Sequence, residues 1–152
     1  MFVKVKWLVG LLVLLLVGCE TTLNGTDMEQ RIEAGAFTLQ VTAVYEGSDQ
    51  LFDEAPAGQR RLLIDLIIEN NSDSNRNFNA LLMFELERPD GTKVGVELFD
   101  PQYVSADGVM AAGMSRVATL VFFVPDSEDA WTLLFSPDTF SPGSIRIDIR
   151  LT

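Results

Sequence analysis

From position 36 onward, large apolar side chains fall on every second residue, the repeat of a strand with one face in a core and the other in water. Phe37, Leu39, Val41, Ala43 and Tyr45 alternate with Thr38, Gln40 and Thr42, and this strand stops at Glu46-Gly47-Ser48. Between Arg60 and Asn70, Leu62, Ile64, Leu66 and Ile68 share one face while Asp65 and Glu69 mark the other. Leu82, Phe84 and Leu86 resume the alternation against Glu85 and Glu87. Pro89-Asp90-Gly91 predicts a tight hairpin turn into a strand over Thr92 to Leu98, where Val94, Val96 and Leu98 share a face. Ser115 to Val124 is apolar on both faces and ends at Pro125. Trp131, Leu133 and Phe135 follow, with Trp131 and Phe135 expected in the core, and Ile145, Ile147, Ile149 and Leu151 alternate with Arg146, Asp148 and Arg150.

The breaks between these runs are polar. Asp49 to Gly58 is an acidic loop, Asn70 to Asn79 a loop of turn-forming Asn and Asp, and Phe99 to Gly113 a long crossover with one short strand at most. Seven strands at short spacing, with no amphipathic helix among them, predict an all-β chain folded as one antiparallel β-sandwich over residues 36–152.

The first nineteen residues, MFVKVKWLVGLLVLLLVGC, follow another pattern. Lys4 and Lys6 precede an apolar run from Trp7 to Val17, and Leu16-Val17-Gly18-Cys19 places a small residue before a cysteine. An apolar run of about a dozen residues falls short of the ~20 that a spanning helix needs. The segment resembles a bacterial lipoprotein signal ending in a lipobox. That resemblance implies a signal peptide over residues 1–18, cleavage between Gly18 and Cys19, and acylation of the Cys19 thiol. Residues 19–35 then read as the lipidated cysteine and a polar tether, ~20–25 Å from end to end if random, which lets the body stand off the membrane. Thr26 and Glu29 have capping-box spacing for one short helical turn. The expected location is the cell envelope, membrane-anchored and facing the periplasm or the cell exterior.

Removing residues 1–18 takes away Lys4 and Lys6, so 9 basic residues remain of 11 against 22 acidic ones, a formal charge of −13. Such a chain is a poor partner for nucleic acid and is repelled by anionic headgroups, which leaves the lipid on Cys19 as its membrane contact. Cys19 is the only cysteine, and histidine is absent. Intrachain disulfides, Ser-His-Asp and Cys-His catalysis, and histidine-ligated metals are therefore excluded, and no cofactor is expected.

Three stretches, AGQRRLLIDLIIENNSD (57–73), FELERPDGTKV (84–94) and AAGMSRVATLVFFVP (111–125), together resemble one family. It is a widespread bacterial domain of unknown function, immunoglobulin-like, grouped with the immunoprotective extracellular antigens. The matching positions are Gly58, Asn70, Asn71, Asp90, Gly91, Gly113, Phe122, Val124 and Pro125. Ala112 stands where many members carry proline. The resemblance implies an immunoglobulin-like fold of about seven strands, and each matching residue has a structural role, such as positive φ for glycine or strand termination for Asn and Pro.

Candidate chemistry is sparse. Asp73, Asn75 and Asn77 have the spacing that opens a calcium loop, but Phe78 and Phe84 occupy the positions that want Gly and Glu. Asp126, Glu128 and Asp129 crowd one loop, and Asp49, Asp53 and Glu54 another. Met110 and Met114, with a glycine between them, read as packing rather than as a soft metal site. On the long strand, Leu63 and Ile67 point away from the core. On the strand from Ser115, Val117, Val121 and Phe123 do the same, while Ala118, Leu120, Phe122 and Val124 point inward. In immunoglobulin-like sandwiches these two strands lie side by side, so Leu63, Ile67, Val121 and Phe123 are expected to form an outer patch fit for a partner or a second copy. The sequence thus points to a non-enzymatic lipoprotein whose sandwich contacts another envelope protein. A small-ligand or calcium-binding surface module, or a carboxylate hydrolase, is the alternative.

Overall fold

The computed structural model describes residues 22–23, 30–47, 55–97, 105–138 and 144–151. The signal peptide, Gly18 and Cys19, the spacing at Thr26 and Glu29, and the acidic stretch at Asp49, Asp53 and Glu54 lie outside them.

Two sheets face each other. The front sheet orders β1 (Thr22–Leu23), β11 (Ile145–Arg150), β10 (Ala130–Phe135), β6 (Phe84–Glu87) and β7 (Lys93–Gly95). The back sheet orders β2 (Arg31–Ala34), β3 (Phe37–Glu46), β4 (Gln59–Asn70) and β9 (Ser115–Pro125). A separate ribbon pairs β5 (Arg76–Phe78) with β8 (Gly108–Met110), and one helical turn, α1 (Ala80–Met83), leads into β6. All pairings are antiparallel except that of β1 with β11. This is the expected β-sandwich, and β4 and β9 are neighbours over their full length as expected.

The inward sets on β4 and β9 are buried as the alternation requires, and they meet Phe84, Leu86, Trp131, Leu133, Phe135, Ile147 and Ile149 of the front sheet. At the Pro89 hairpin, Gly91 N–H donates to Arg88 O, and Gly91 has φ 83°, a left-handed conformation open to glycine at no steric cost.

Four expectations need correction. The polar tether ends early: Arg31–Ala34 form β2 against β3, with Ile32 and Ala34 in the core, so the sandwich includes residues before 36. On β3 the register shifts between Val41 and Ala43, a bulge that reverses the alternation. Val44 therefore turns inward, while Ala43 is half-buried and Tyr45 exposed. Leu82 belongs to α1 rather than to a strand and is 58% exposed, because Asn79 caps that turn, its Oδ1 accepting from Leu82 N–H at 3.1 Å. The loop over 70–79 contains β5, and its Phe78 is fully buried.

Candidate functional site

The two ends of the sandwich differ in chemistry. At the α1 end, β4 finishes in Asn70, a buried amide. Its Nδ2 donates to the carbonyls of Ser74 (2.8 Å), Met110 (3.0 Å) and Ala111 (3.1 Å), and its Oδ1 accepts from Ser72 N–H (3.1 Å) and Oγ–H (2.7 Å). The Asn70 backbone N–H donates to Met114 O, and its carbonyl accepts from Gly113 N–H. One residue thus ties β4 to the turn after it and to the turn between β8 and β9. Asn71 adds a bond from Nδ2 to Thr38 Oγ1 at 3.0 Å. Below them four rings pack: Phe37 edge-on to Phe78 (5.9 Å) and Phe135 (6.4 Å), Phe78 edge-on to Phe84 (6.1 Å), and Phe84 stacked on Phe135 (4.7 Å). Over this cluster lies a groove of about 590 Å³ lined by Gly35, Ala36, Phe37, Arg76, Asn77, Asn79, Leu82, Met83, Pro137 and Asp138.

At the Pro89 end the groups are ionic. Arg88 Nε donates to both carboxylate oxygens of Glu128 (3.0 and 3.1 Å), and Nη2 reaches Oε1 at 2.5 Å. Trp131 Nε1 donates to Glu128 Oε2 at 3.2 Å. Arg60, from the back sheet, lies 5.8 Å over the Trp131 ring of the front sheet, donates to Glu128 O, and pairs with Asp129 at 2.5 Å. A smaller groove of about 340 Å³ runs beside this cluster, past Arg88, Trp131, Asp148 and Arg150. The Arg88 hydrogen bond holds Glu128 below the ordinary glutamate range against the opposing effect of burial, with Trp131 assisting. The Arg146 hydrogen bond does the same for Glu87, and the Thr92 backbone N–H, at 2.8 Å, does it for Asp90. All three are thereby stabilised as anions, whereas a general acid at neutral pH needs its pKa raised.

The remaining expected sites are dispersed. Asp73, Asn75 and Asn77 are exposed, and Asn77 is committed to β5 opposite Val109. Among the described residues no three His, Cys, Asp or Glu side chains form a group able to hold a metal. Met110 is fully buried while Met114 is 38% exposed. Of the expected outer patch, Leu63 stands opposite Val121, but the two are only 1% and 3% exposed. Gly47 continues the β3–β4 ladder, its N–H donating to Arg61 O at 2.8 Å, and a Cβ there would stand 2.8 Å from Leu63 Cδ1 and 3.1 Å from Arg61 Cδ, so no larger residue fits beside Leu63 without displacement. Phe123 is half-buried beneath Arg61, whose guanidinium lies 5.6 Å over its ring. The four residues therefore do not form one open patch, and what stays accessible is half-buried Ile67 beside Val117, which is 59% exposed. Sequence reasoning missed the Arg60–Glu128–Arg88 cluster, because its members come from three separate stretches that read singly as solvated charge.

Residues 26–145 match the family profile described as "Domain of unknown function (DUF4352)". Among curated proteins no sequence match is found. Solved structures share the fold, these three among them. One is ycdA of Bacillus subtilis, a candidate lipoprotein, with TM-score 0.66 and 19% identity over 80% of this chain; the chain spans 38% of that protein's length. Another is a β-sandwich protein of Clostridium difficile (TM-score 0.55, 16% identity, 81% of this chain and 91% of that one). The third is the secreted protein MPT63 of Mycobacterium tuberculosis (TM-score 0.55, 12% identity, 81% of this chain and 92% of that one).

Proposed function

The chain belongs to the DUF4352 family of domains of unknown function, and from that premise we propose a membrane-anchored envelope lipoprotein whose β-sandwich is a non-enzymatic protein-interaction module. The anchor is the lipid on Cys19, for which the run Leu16-Val17-Gly18-Cys19 after a short apolar segment is the support. The observation that carries the non-enzymatic reading is the state of Glu87, Asp90 and Glu128. Each is held as an anion by a hydrogen-bond donor of the fold, which unsuits these carboxylates to the general-acid role of a carboxylate hydrolase and supports a structural one. The partner is another envelope protein, and the accessible apolar pair Ile67 and Val117 on the back sheet is where contact is expected.

The test has two parts. Cys19→Ala should abolish acylation and release the protein from membranes, since one anchor is lost and the mature chain is strongly acidic. Membrane fractionation unchanged by that substitution removes the lipoprotein reading. A photo-crosslinking residue at Val117 should then capture a defined envelope protein in cells, and the same residue at Asp126 should not. Capture from Asp126 alone, or a calcium-dependent rise in melting temperature, would replace the proposed surface or favour the ligand-binding alternative.

A further inference from the structure

The register of β1 fixes the end of the domain at which Thr22 stands. Thr22 pairs with Arg146 and Leu23 with Ile147, and because the pairing is parallel, Thr22 stands at the start of β11. That start is the α1 end of the sandwich. Ile145 pairs with Phe135, Phe135 with Phe84, and α1 directly precedes Phe84, with Ser136 N–H bonded to Met83 O at 2.8 Å. Two residues, Glu20 and Thr21, separate Cys19 from Thr22, so three residue steps give a reach of ~10 Å at full extension. From β11 across β10 to β6 is another ~10 Å at normal strand spacing.

This end is also where the exposed apolar side chains collect. Of the six large hydrophobic residues exposed among those described, Tyr45 alone belongs to the other half. Leu81 (41% exposed) and Leu82 (58%) project from α1, and Val109, Met114 and Val117 lie on β8, the turn after it and the start of β9. The opposite end carries the ion pairs of Arg60 and Arg88 with Asp90, Glu128 and Asp129, and of those six hydrophobic residues only Tyr45 lies in that half.

We infer that the sandwich is held end-on at the membrane, with Leu81 and Leu82 of α1 seated in the interfacial layer of the bilayer and the acidic Pro89 end directed away from it. The inference rests on Cys19 being acylated. The lipid holds the chain at the bilayer, and an apolar contact beside the attachment point sets the orientation of the body. The body then touches the bilayer, in place of standing off it on a tether.

The test uses the mature acylated protein, residues 19–152, in phosphatidylcholine vesicles with brominated acyl chains. Environment-sensitive fluorophores are placed on Leu82→Cys in one preparation and on Asp126→Cys in another, both at surface positions. The fluorophore at 82 should lose fluorescence to the brominated lipid, and the one at 126 should keep it. An unquenched fluorophore at 82 on protein that floats with the vesicles, or stronger quenching at 126, overturns the orientation. The parent protein distinguishes this from failure of the anchor: its only thiol is Cys19, so labelling of the parent by a thiol reagent, together with loss of flotation, shows that acylation is absent and sinks the lipoprotein reading with it.

Discussion

At the α1 end the sandwich is sealed by four phenylalanine rings and the Asn70 amide, whereas at the Pro89 end arginine–carboxylate pairs lie across Trp131. The first seal is neutral and dry, so it owes nothing to pH or salt. The second is partly solvated and made of charges that water and counterions screen. Both join the front sheet to the back one. One continuous core lies between the two seals, with Leu62, Val124 and Trp131 toward the Pro89 end and Phe37, Phe78 and Phe84 toward the α1 end, so the contrast concerns how each end is closed.

The largest effect should come from the dry end. Phe78→Ala removes a fully buried ring that touches Phe37 and Phe84, and unfolding in urea should show a loss of about 3–5 kcal/mol. A loss within experimental error of zero would mean that β5 and β8 are peripheral to the core. Asn70→Ala should cost roughly 1–3 kcal/mol, since the carbonyls of Ser74, Met110 and Ala111 lose a donor in a place water reaches poorly. That deficit should be the same at pH 7 and in acid. Glu128→Gln should have the smallest effect at pH 7 and should differ from the others in its pH dependence. The folded pKa of Glu128 is lowered, so its stabilisation is fully present above the unfolded carboxylate range and is lost as pH falls through the folded value. Urea unfolding at pH 7 and in strong acid should therefore show the gap between parent and variant closing in acid. A gap that stays constant would remove the ionic account of this end.

Strand alternation identified the sandwich and the inward set of β4, because a half-buried strand in an antiparallel sheet must alternate, whereas β9 is apolar on both faces and only Thr119 marked its parity. The hairpin at Pro89-Asp90-Gly91 was legible because its turn chemistry is local. The bulge after Val41 was not legible as such, although Val44 at a position expected to be polar is its trace. Phe78 was hidden in a run of Asn, Ser and Asp, since a single buried residue has no period. The candidate surface failed for a different reason: parity placed Leu63 and Val121 on the outer face correctly, but cover from another segment of the chain is not written in parity. The ionic cluster was illegible because Arg60, Arg88 and Glu128 are neighbours only after the sheets have packed.

The N-terminal segment joins both sheets, with β1 on the front and β2 on the back, and this matters when force acts on the protein. A pull applied through a lipid at Cys19 meets first the two paired residues of β1, a parallel ladder too short to resist alone. Its release lets out the chain as far as Arg31 and extends the reach from Cys19 to roughly 40 Å. Beyond that point the load passes to β2 and its four pairs with β3. An anchor at Cys19 would thus load the two pairs of β1 before the four pairs of β2, and both before the longer strands of the core.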